Sequence, residues 1–508
     1  MEQVYIEYKN SAYIRVFADD STERNISDYF TFEVPNARFT PAYKKRIWDG
    51  KIRLYNIHTK CIYAGLYEYL LEYCDQRNLS VKVDSRIPFN ENKFSEKDII
   101  NYFEKELKPH SRGKQLQAHE HQVLGVMKAL NLRRCLLLSP TASGKSLIIY
   151  SLLRYYQNII GKKEKILIIV PTISLVLQLY NDFADYSDKD KSWDVSKNCH
   201  KIHGGEEKET SKQIVISTWQ SIYKMSEKYF KDFRVVLGDE CHLFKSQSLT
   251  SIMTKLIDCP YRVGLTGTLD GSKTHKLVIE GLFGRVQKVI TTKDLMDKNL
   301  LSQLKIHCIV LNHSQKDREA CKDLKYPQEI ELIINNQGRN EYIRDLATST
   351  QGNTLVLFQY VEKHGRILHD LISKKEVKRK VFFVFGGTEG ETREKIREIT
   401  DREKNSIIVA SYGTFSTGIN IRSLQNIIFA SPSKSRIRVL QSIGRQLRKS
   451  EGKEVAILYD IADDLSWKSR RNYTLRHMVE RVRIYNEEKF DYDMKRASLE
   501  GHSDEQKT

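Results

Sequence analysis

The chain has 508 residues, room for three or four domains at roughly 150 residues each. Lys and Arg number 83 against 65 Asp and Glu, a formal charge of +18, and 40% of the residues are hydrophobic. Ordinary cores are therefore within reach, and the basic surplus favours a polyanionic partner such as nucleic acid. No run approaches the roughly 18 consecutive apolar residues of a membrane span, and the opening MEQVYIEYKNSAY lacks the basic-then-apolar pattern of a secretory signal. Eight cysteines without a C-x-x-C pair predict reduced thiols in a cytosolic compartment.

Residues 1–105 mix short β-like runs (VYIEY, YIRVF, FTFEV, KIRLYN) with one apolar helical segment, Ala64–Leu79. They predict a small α+β domain, and the basic, aromatic block within it makes it the candidate for binding DNA and specifying the substrate. Within it, RFTPAYKKRIWDGKIR at 38–53 sets six Lys or Arg against one Asp, with Phe39, Tyr43 and Trp48 interleaved. Lys44, Lys45 and Arg46 would neutralise phosphates and Trp48 would stack on unpaired bases. The alternative is a strand–turn–strand with Trp48 in the core and Asp49-Gly50 as the turn. A polar connector follows, ELKPHSRGKQ at 106–115.

From 116 to 300, strand-like runs (RRCLLL, KILIIV, QIVIS, RVVLG, RVGLT) alternate with helical patterns, the mark of a parallel α/β layer. A second such domain spans 301–460, with NTLVLF, KVFFVF, SIIVAS, NIIFAS and EVAILYD. Residues 461–508 read as a helical tail, with Leu475, Met478, Val479, Val482 and Tyr485 on one stripe. Its end, GHSDEQKT, is expected to fray.

The stretch CLLLSPTASGKS runs strand, tight turn, helix start. That is the setting of a phosphate loop, here with Ser139 in place of the first glycine. Backbone N–H groups of Thr141, Ala142, Ser143 and Gly144 would surround phosphate oxygens. Lys145 would meet the β- and γ-phosphates and Ser146 would offer its hydroxyl to Mg²⁺. Downstream, RVVLGDECHLF places Asp239 to hold Mg²⁺ and Glu240 to orient and deprotonate an attacking water. GLTGTLDG ends another strand with Thr266 and Thr268. In LQSIGRQLRKS, Gln441, Arg445 and Arg448 stand at i, i+4 and i+7, so one helix face could aim both guanidiniums across a cleft at the transferring phosphate.

In this order the residues resemble a superfamily 2 helicase with two RecA-like lobes, over about residues 116–460. Gln122 in LQAHEHQ matches the adenine-contacting glutamine, VPTISLVLQ motif Ia and ISTWQS motif Ic. DECH matches motif II, LTGT the coupling motif III, TLVLFQYVEKHG motif IV, SYGTFSTGINI motif V and LQSIGRQLR motif VI. The glutamine motif departs from the family pattern, with Ala118, His119 and His121 where a Pro-Arg and an aromatic are usual. The resemblance makes Thr172, Thr218, Ser411, Thr414 and Thr417 candidates for a strand track, since short hydroxyl side chains grip phosphates without reading bases. More narrowly, the N-terminal block and the segment YTLRHMVERVRIYNEEKFDY are similar to the UvsW helicases of T-even-like phages. That implies a monomeric, ATP- and Mg²⁺-dependent DNA motor in the host cytoplasm. Its substrates would be forks, four-way junctions, D-loops and R-loops, in recombination, repair and replication restart. An RNA or RNA–DNA hybrid helicase, or a nucleotide-gated clamp that does not translocate, is the alternative.

Overall fold

Runs such as KILIIV have no polar face to offer water, so they pair inside a layer covered on both sides. The computed structural model describes residues 3–499 apart from 36, 88–92, 112, 245–246, 270–272, 419–420, 422, 434 and 450–452, and not the side chains of 273–275, 416–418 and 437. The side chain of Thr417 and the terminal GHSDEQKT thus lie outside the described residues. The chain divides into two compact units, one of residues 1–139 and 143–290, the other of 140–142 and 291–508.

In the first unit, all five expected runs form strands of a seven-stranded parallel sheet. Its order is Cys199–Ile202, Ile214–Thr218, Lys165–Val170, Phe233–Gly238, Tyr261–Thr266, Arg134–Leu138, Val286–Lys288. Successive side chains point to opposite faces. Leu137 accordingly joins the core that includes Ile148 and Val126, and Leu136 joins the one that includes Phe244 and Phe283. The helical stretch Glu96–Asn101 with Tyr102–Leu107 corrects the expected boundary at 105. Ile99, Tyr102, Phe103 and Leu107 are buried in the first of these cores, and the Tyr102 hydroxyl donates to the Ser151 carbonyl at 2.9 Å, so their apolar stripe belongs to the α/β layer.

The N-terminal domain is a five-stranded mixed sheet, ordered Tyr55–Asn56, Cys61–Tyr63, Tyr13–Phe17, Gln3–Tyr8, Ser80–Val83. The expected helix is present as Tyr67–Gln76 after a short 3₁₀ turn, Ala64–Leu66. A second helix, Asp20–Tyr29, was not expected; the Asp19 side chain caps it by accepting from the N–H groups of Ser21 and Thr22. This domain is fixed to the α/β layer beside it. Leu277 is buried in its core, the N–H of Ser11 donates to the carbonyl of Ile257 at 2.8 Å, and the Tyr69 hydroxyl donates to buried Glu280 at 3.0 Å. Gly65 lies so close to the helix Lys273–Phe283 that a Cβ there would sit 2.1 Å from the Glu280 carbonyl oxygen.

The second unit repeats the pattern. Its seven parallel strands run Val381–Val384, Ile407–Ser411, Asn353–Phe358, Leu424–Phe429, Val455–Asp464, Gln303–Asn312, Tyr492–Ser498. The tail helix is present as Tyr473–Glu487, but the tail is not wholly helical. Beyond that helix the chain returns as the strand Tyr492–Ser498 and pairs in parallel with Gln303–Asn312. Buried Asp460 accepts from Arg481 and from Tyr485, and so ties the tail helix to the sheet.

Gly65→Ala drives a Cβ into backbone that cannot swing aside. It should cost about 1–3 kcal/mol, as overpacking does, and lower the thermal midpoint of the full chain. A melting curve unchanged from the parent would contradict the tight seam between the N-terminal domain and the α/β layer.

Candidate active site and nucleic-acid interface

The strand Arg134–Leu138 delivers the turn 139–144, and the helix Lys145–Ile159 leaves it. Ala142 and Gly144 both have left-handed backbones, with φ of 68° and 82°, which turns successive N–H groups into one concavity. The turn is held from behind. His121 Nε2 lies 2.8 Å from the Ser143 carbonyl and Gln122 Nε2 donates to the same oxygen at 3.2 Å. Gln122 Oε1 accepts the His119 N–H at 2.9 Å, so both ends of the amide are bonded within the protein. The structure therefore places Gln122 as a brace of the loop. Ser139, standing where a glycine is usual, is fully buried and pairs its hydroxyl with that of Ser143 at 2.6 Å.

Lys145 Nζ donates to the Ser139 carbonyl at 3.4 Å and lies 3.9 Å from Glu240. The Ser146 hydroxyl is 3.0 Å from that of Tyr186. Asp239 and Glu240 follow the strand Phe233–Gly238, next but one to the loop's strand. Burial pushes the Asp239 carboxyl up to about 6, the neighbouring Glu240 charge adds to the rise, and Lys145 opposes it. Glu240 adopts a left-handed backbone, φ 51°, with its carboxylate 3.3 Å from His242 Nδ1. His242 Nδ1 is in turn 3.1 Å from the Thr266 hydroxyl, which donates to the Thr268 carbonyl at 2.9 Å. A continuous polar line thus runs from Lys145 to Thr268. Sequence reasoning missed His121, His242 and Tyr186 as members of the site. The two histidines sit inside quoted motifs, and only through-space contacts reveal what they do.

At the same C-terminal edge of this parallel sheet, the Thr172 hydroxyl caps the helix Ile173–Tyr186, and Thr218 stands at the start of Trp219–Ile222 with its hydroxyl 2.9 Å from that of Ser221. The two threonines share an open cleft of about 590 Å³, lined also by Gly204, Gly205, Lys208 and Gln220. The structure thus brings these two track candidates together.

The block at 38–53 corrects the simple strand–turn–strand. Its strand, Lys51–Arg53, pairs with Thr31–Glu33, and residues 34–50 between them form an excursion with a short helix, Pro41–Lys44. Lys44, Lys45 and Arg46 are exposed on it. Phe39, Tyr43 and Ile47 are also bared, at 61%, 41% and 77% exposure. Trp48 is half-buried rather than a core residue, and its indole N–H donates to the Lys51 carbonyl at 2.9 Å.

In the second unit, Ser411 and Thr414 pair their hydroxyls at 2.8 Å where the strand Ile407–Ser411 meets the helix Tyr412–Gly418. Gln441 and Arg445 lie on the helix Arg436–Gln446, and the Arg445 guanidinium sits 5.7 Å from the Phe415 ring centre. Arg448 does not continue that face, because the helix stops at Gln446. Lys453 donates to the carbonyls of Gln446 and Arg448, satisfying the helix end and turning the chain away.

Two parallel sheets, the first with a strand–turn–helix that gathers its N–H groups and an acid pair two strands away, are the build of a two-lobed ATP-driven motor. Family models agree along the chain: "DNA helicase UvsW, N-terminal" over residues 3–84, "Type III restriction enzyme, res subunit" over 96–271, and "Helicase conserved C-terminal domain" over 338–450. The ATP-dependent DNA helicase UvsW of phage T4 is 34% identical over 98% of this chain and the whole of that protein. Its crystal structure matches with a TM-score of 0.52 at 33% identity, over 98% of this chain and all of that one. The DNA 3'-5' translocase XPB2 of Sulfurisphaera tokodaii is 24% identical over 67% of this chain and 81% of its own. The chain belongs to the UvsW family of ATP-dependent DNA helicases within superfamily 2.

Gly144→Ala tests the loop itself. The new Cβ needs a left-handed backbone and would lie 2.2 Å from Gln122 Nε2, so the brace must leave. Destabilisation of about 1–3 kcal/mol and a loss of nucleotide binding are expected. Titration with a fluorescent ATP analogue alongside a melting curve measures both.

Proposed function

We propose that this helicase unwinds or branch-migrates branched DNA, in recombination, repair and replication restart within an infected bacterium's cytoplasm, acting as a monomer. The observation that carries this reading is the excursion at 34–50. It sets three cations beside exposed Phe39, Tyr43 and Ile47 on a domain fixed to the ATP-binding lobe. Cations there engage phosphates of the duplex arms, and the rings stack on bases where strands part. Thr172 and Thr218, with Ser411, Thr414 and Thr417 on the second lobe, grip one strand through its phosphates.

In the chemistry proposed, the loop's N–H groups and Lys145 hold the phosphates while Glu240 orients a water and takes its proton. Gln441 and Arg445, on one helix, stabilise charge on the transferring phosphate. Mg²⁺ suits the site, because the buried Asp239 carboxyl is crowded by a second carboxylate and a cation would relieve both. Ser146 and Asp239 would hold it, and it would neutralise phosphate charge. The reading is tested by measuring ATPase and unwinding side by side on single-stranded DNA, a fork, a four-way junction and an RNA–DNA hybrid. Unwinding confined to the hybrid, or hydrolysis without strand separation on any substrate, would replace it.

Lys145→Ala should abolish hydrolysis without unfolding the lobe, whereas Glu240→Gln should still bind ATP and DNA but turn over very slowly. Arg445→Ala should lower turnover by about 10³-fold or more, the scale of an arginine finger, with ATP binding little changed.

Changing Lys44, Lys45 and Arg46 together to Ala should weaken junction binding. It should also flatten the salt dependence by up to ~0.9 log units per log unit of salt for each phosphate no longer neutralised. Hydrolysis on plain single strands should stay near the parent rate. Full junction affinity with an unchanged salt slope would remove the excursion from branch recognition.

A further inference from the structure

One helix of the first unit touches both of its candidate sites. Thr172 caps the start of Ile173–Tyr186 and faces the cleft shared with Thr218. Some 20 Å away, at 1.5 Å per residue, the last residue of that helix places its phenol 3.0 Å from the Ser146 hydroxyl. The far end is also anchored. The Tyr186 ring packs 5.4 Å from that of Tyr150, which stands one turn beyond Ser146 on the loop's own helix. Asp185 accepts the Ser111 hydroxyl at 2.7 Å. The near end, by contrast, opens onto the cleft.

A hydroxyl that ligates a cation must keep a lone pair toward it and send its hydrogen elsewhere. The Tyr186 oxygen is positioned to take that hydrogen, which would leave a Ser146 lone pair free for the cation. We propose that Tyr186 is a positioning residue that couples strand binding at Thr172 to Mg²⁺–nucleotide binding at Ser146, with the helix Ile173–Tyr186 as the rigid link. The inference rests on the nucleotide and strand roles proposed above. A strand held at the capped end biases where the helix sits, and thereby where the phenol stands against Ser146.

The test uses the full chain and Tyr186→Phe, which keeps the ring and deletes one oxygen. Affinity for a fluorescent ATP analogue is measured across a Mg²⁺ series, with and without single-stranded DNA, and DNA affinity with and without nucleotide. Removing an outer partner of a metal ligand typically costs 10–100-fold in metal affinity, so about a tenfold loss of Mg²⁺-dependent nucleotide affinity is expected. The factor by which DNA tightens nucleotide should fall to within about twofold of unity, and the reciprocal factor must fall equally. DNA affinity without nucleotide should not change.

Ser146→Ala supplies the control. In that background, adding Tyr186→Phe should change the coupling no further, whereas a general packing defect would add its own loss. If Tyr186→Phe keeps the parent coupling while Ser146→Ala loses it, the inference falls and the nucleotide site stands. If Ser146→Ala itself keeps parent Mg²⁺–nucleotide affinity, the reading of the site falls and takes the inference with it. Additive losses in the double variant also overturn the coupling role.

Discussion

A turn that gathers its N–H groups into one concavity must leave carbonyls facing the protein behind it, and a buried carbonyl needs a donor. Ser143 presents that carbonyl, and two adjacent residues of one helix, His121 and Gln122, converge on it. The left-handed backbones at Ala142 and Gly144 persist because this support over-determines them. Lys145 and Ser146 then inherit their directions from a turn that has few other ways to lie.

The acid pair depends on the same frame. Asp239 and Glu240 leave their strand at the edge of the turn, where the desolvation that raises the Asp239 carboxyl also strengthens every charge interaction nearby. Glu240 is not held by Lys145 alone. His242 stands beside it and beside Thr266, so the end of the strand Tyr261–Thr266 bears on the same carboxylate. Motifs separated in the chain thus meet through one imidazole.

Most of both sheets was legible in the sequence, because strands buried on two faces write themselves as unbroken apolar runs. Tyr492–Ser498 was not, since an edge strand with most side chains exposed carries no such run. Gln303–Asn312 alternates buried and exposed residues over its first half, which breaks the run. The turn between the strand Arg134–Leu138 and the helix Lys145–Ile159, and the acids that follow the strand Phe233–Gly238, were legible from local order alone. The stop at Gln446 was not, because it is set by Lys453 reaching back from a later segment to carbonyls that spacing cannot show. Trp48 is not the core anchor that one reading made it, being half-buried on an excursion whose exposed face is built from Phe39, Tyr43 and Ile47.

The seam at Gly65 bears on how such enzymes can be recombined in the laboratory. A chimaera that exchanged the N-terminal domain between relatives would cut through a surface where Leu277 lies in one core while belonging to the other domain's chain, and where backbone meets backbone. The transplantable piece is therefore not residues 3–84 by themselves. It is that sheet together with the helix Lys273–Phe283 and the buried Glu280 that receives Tyr69. A graft respecting the seam would need to carry two segments nearly two hundred residues apart in the chain.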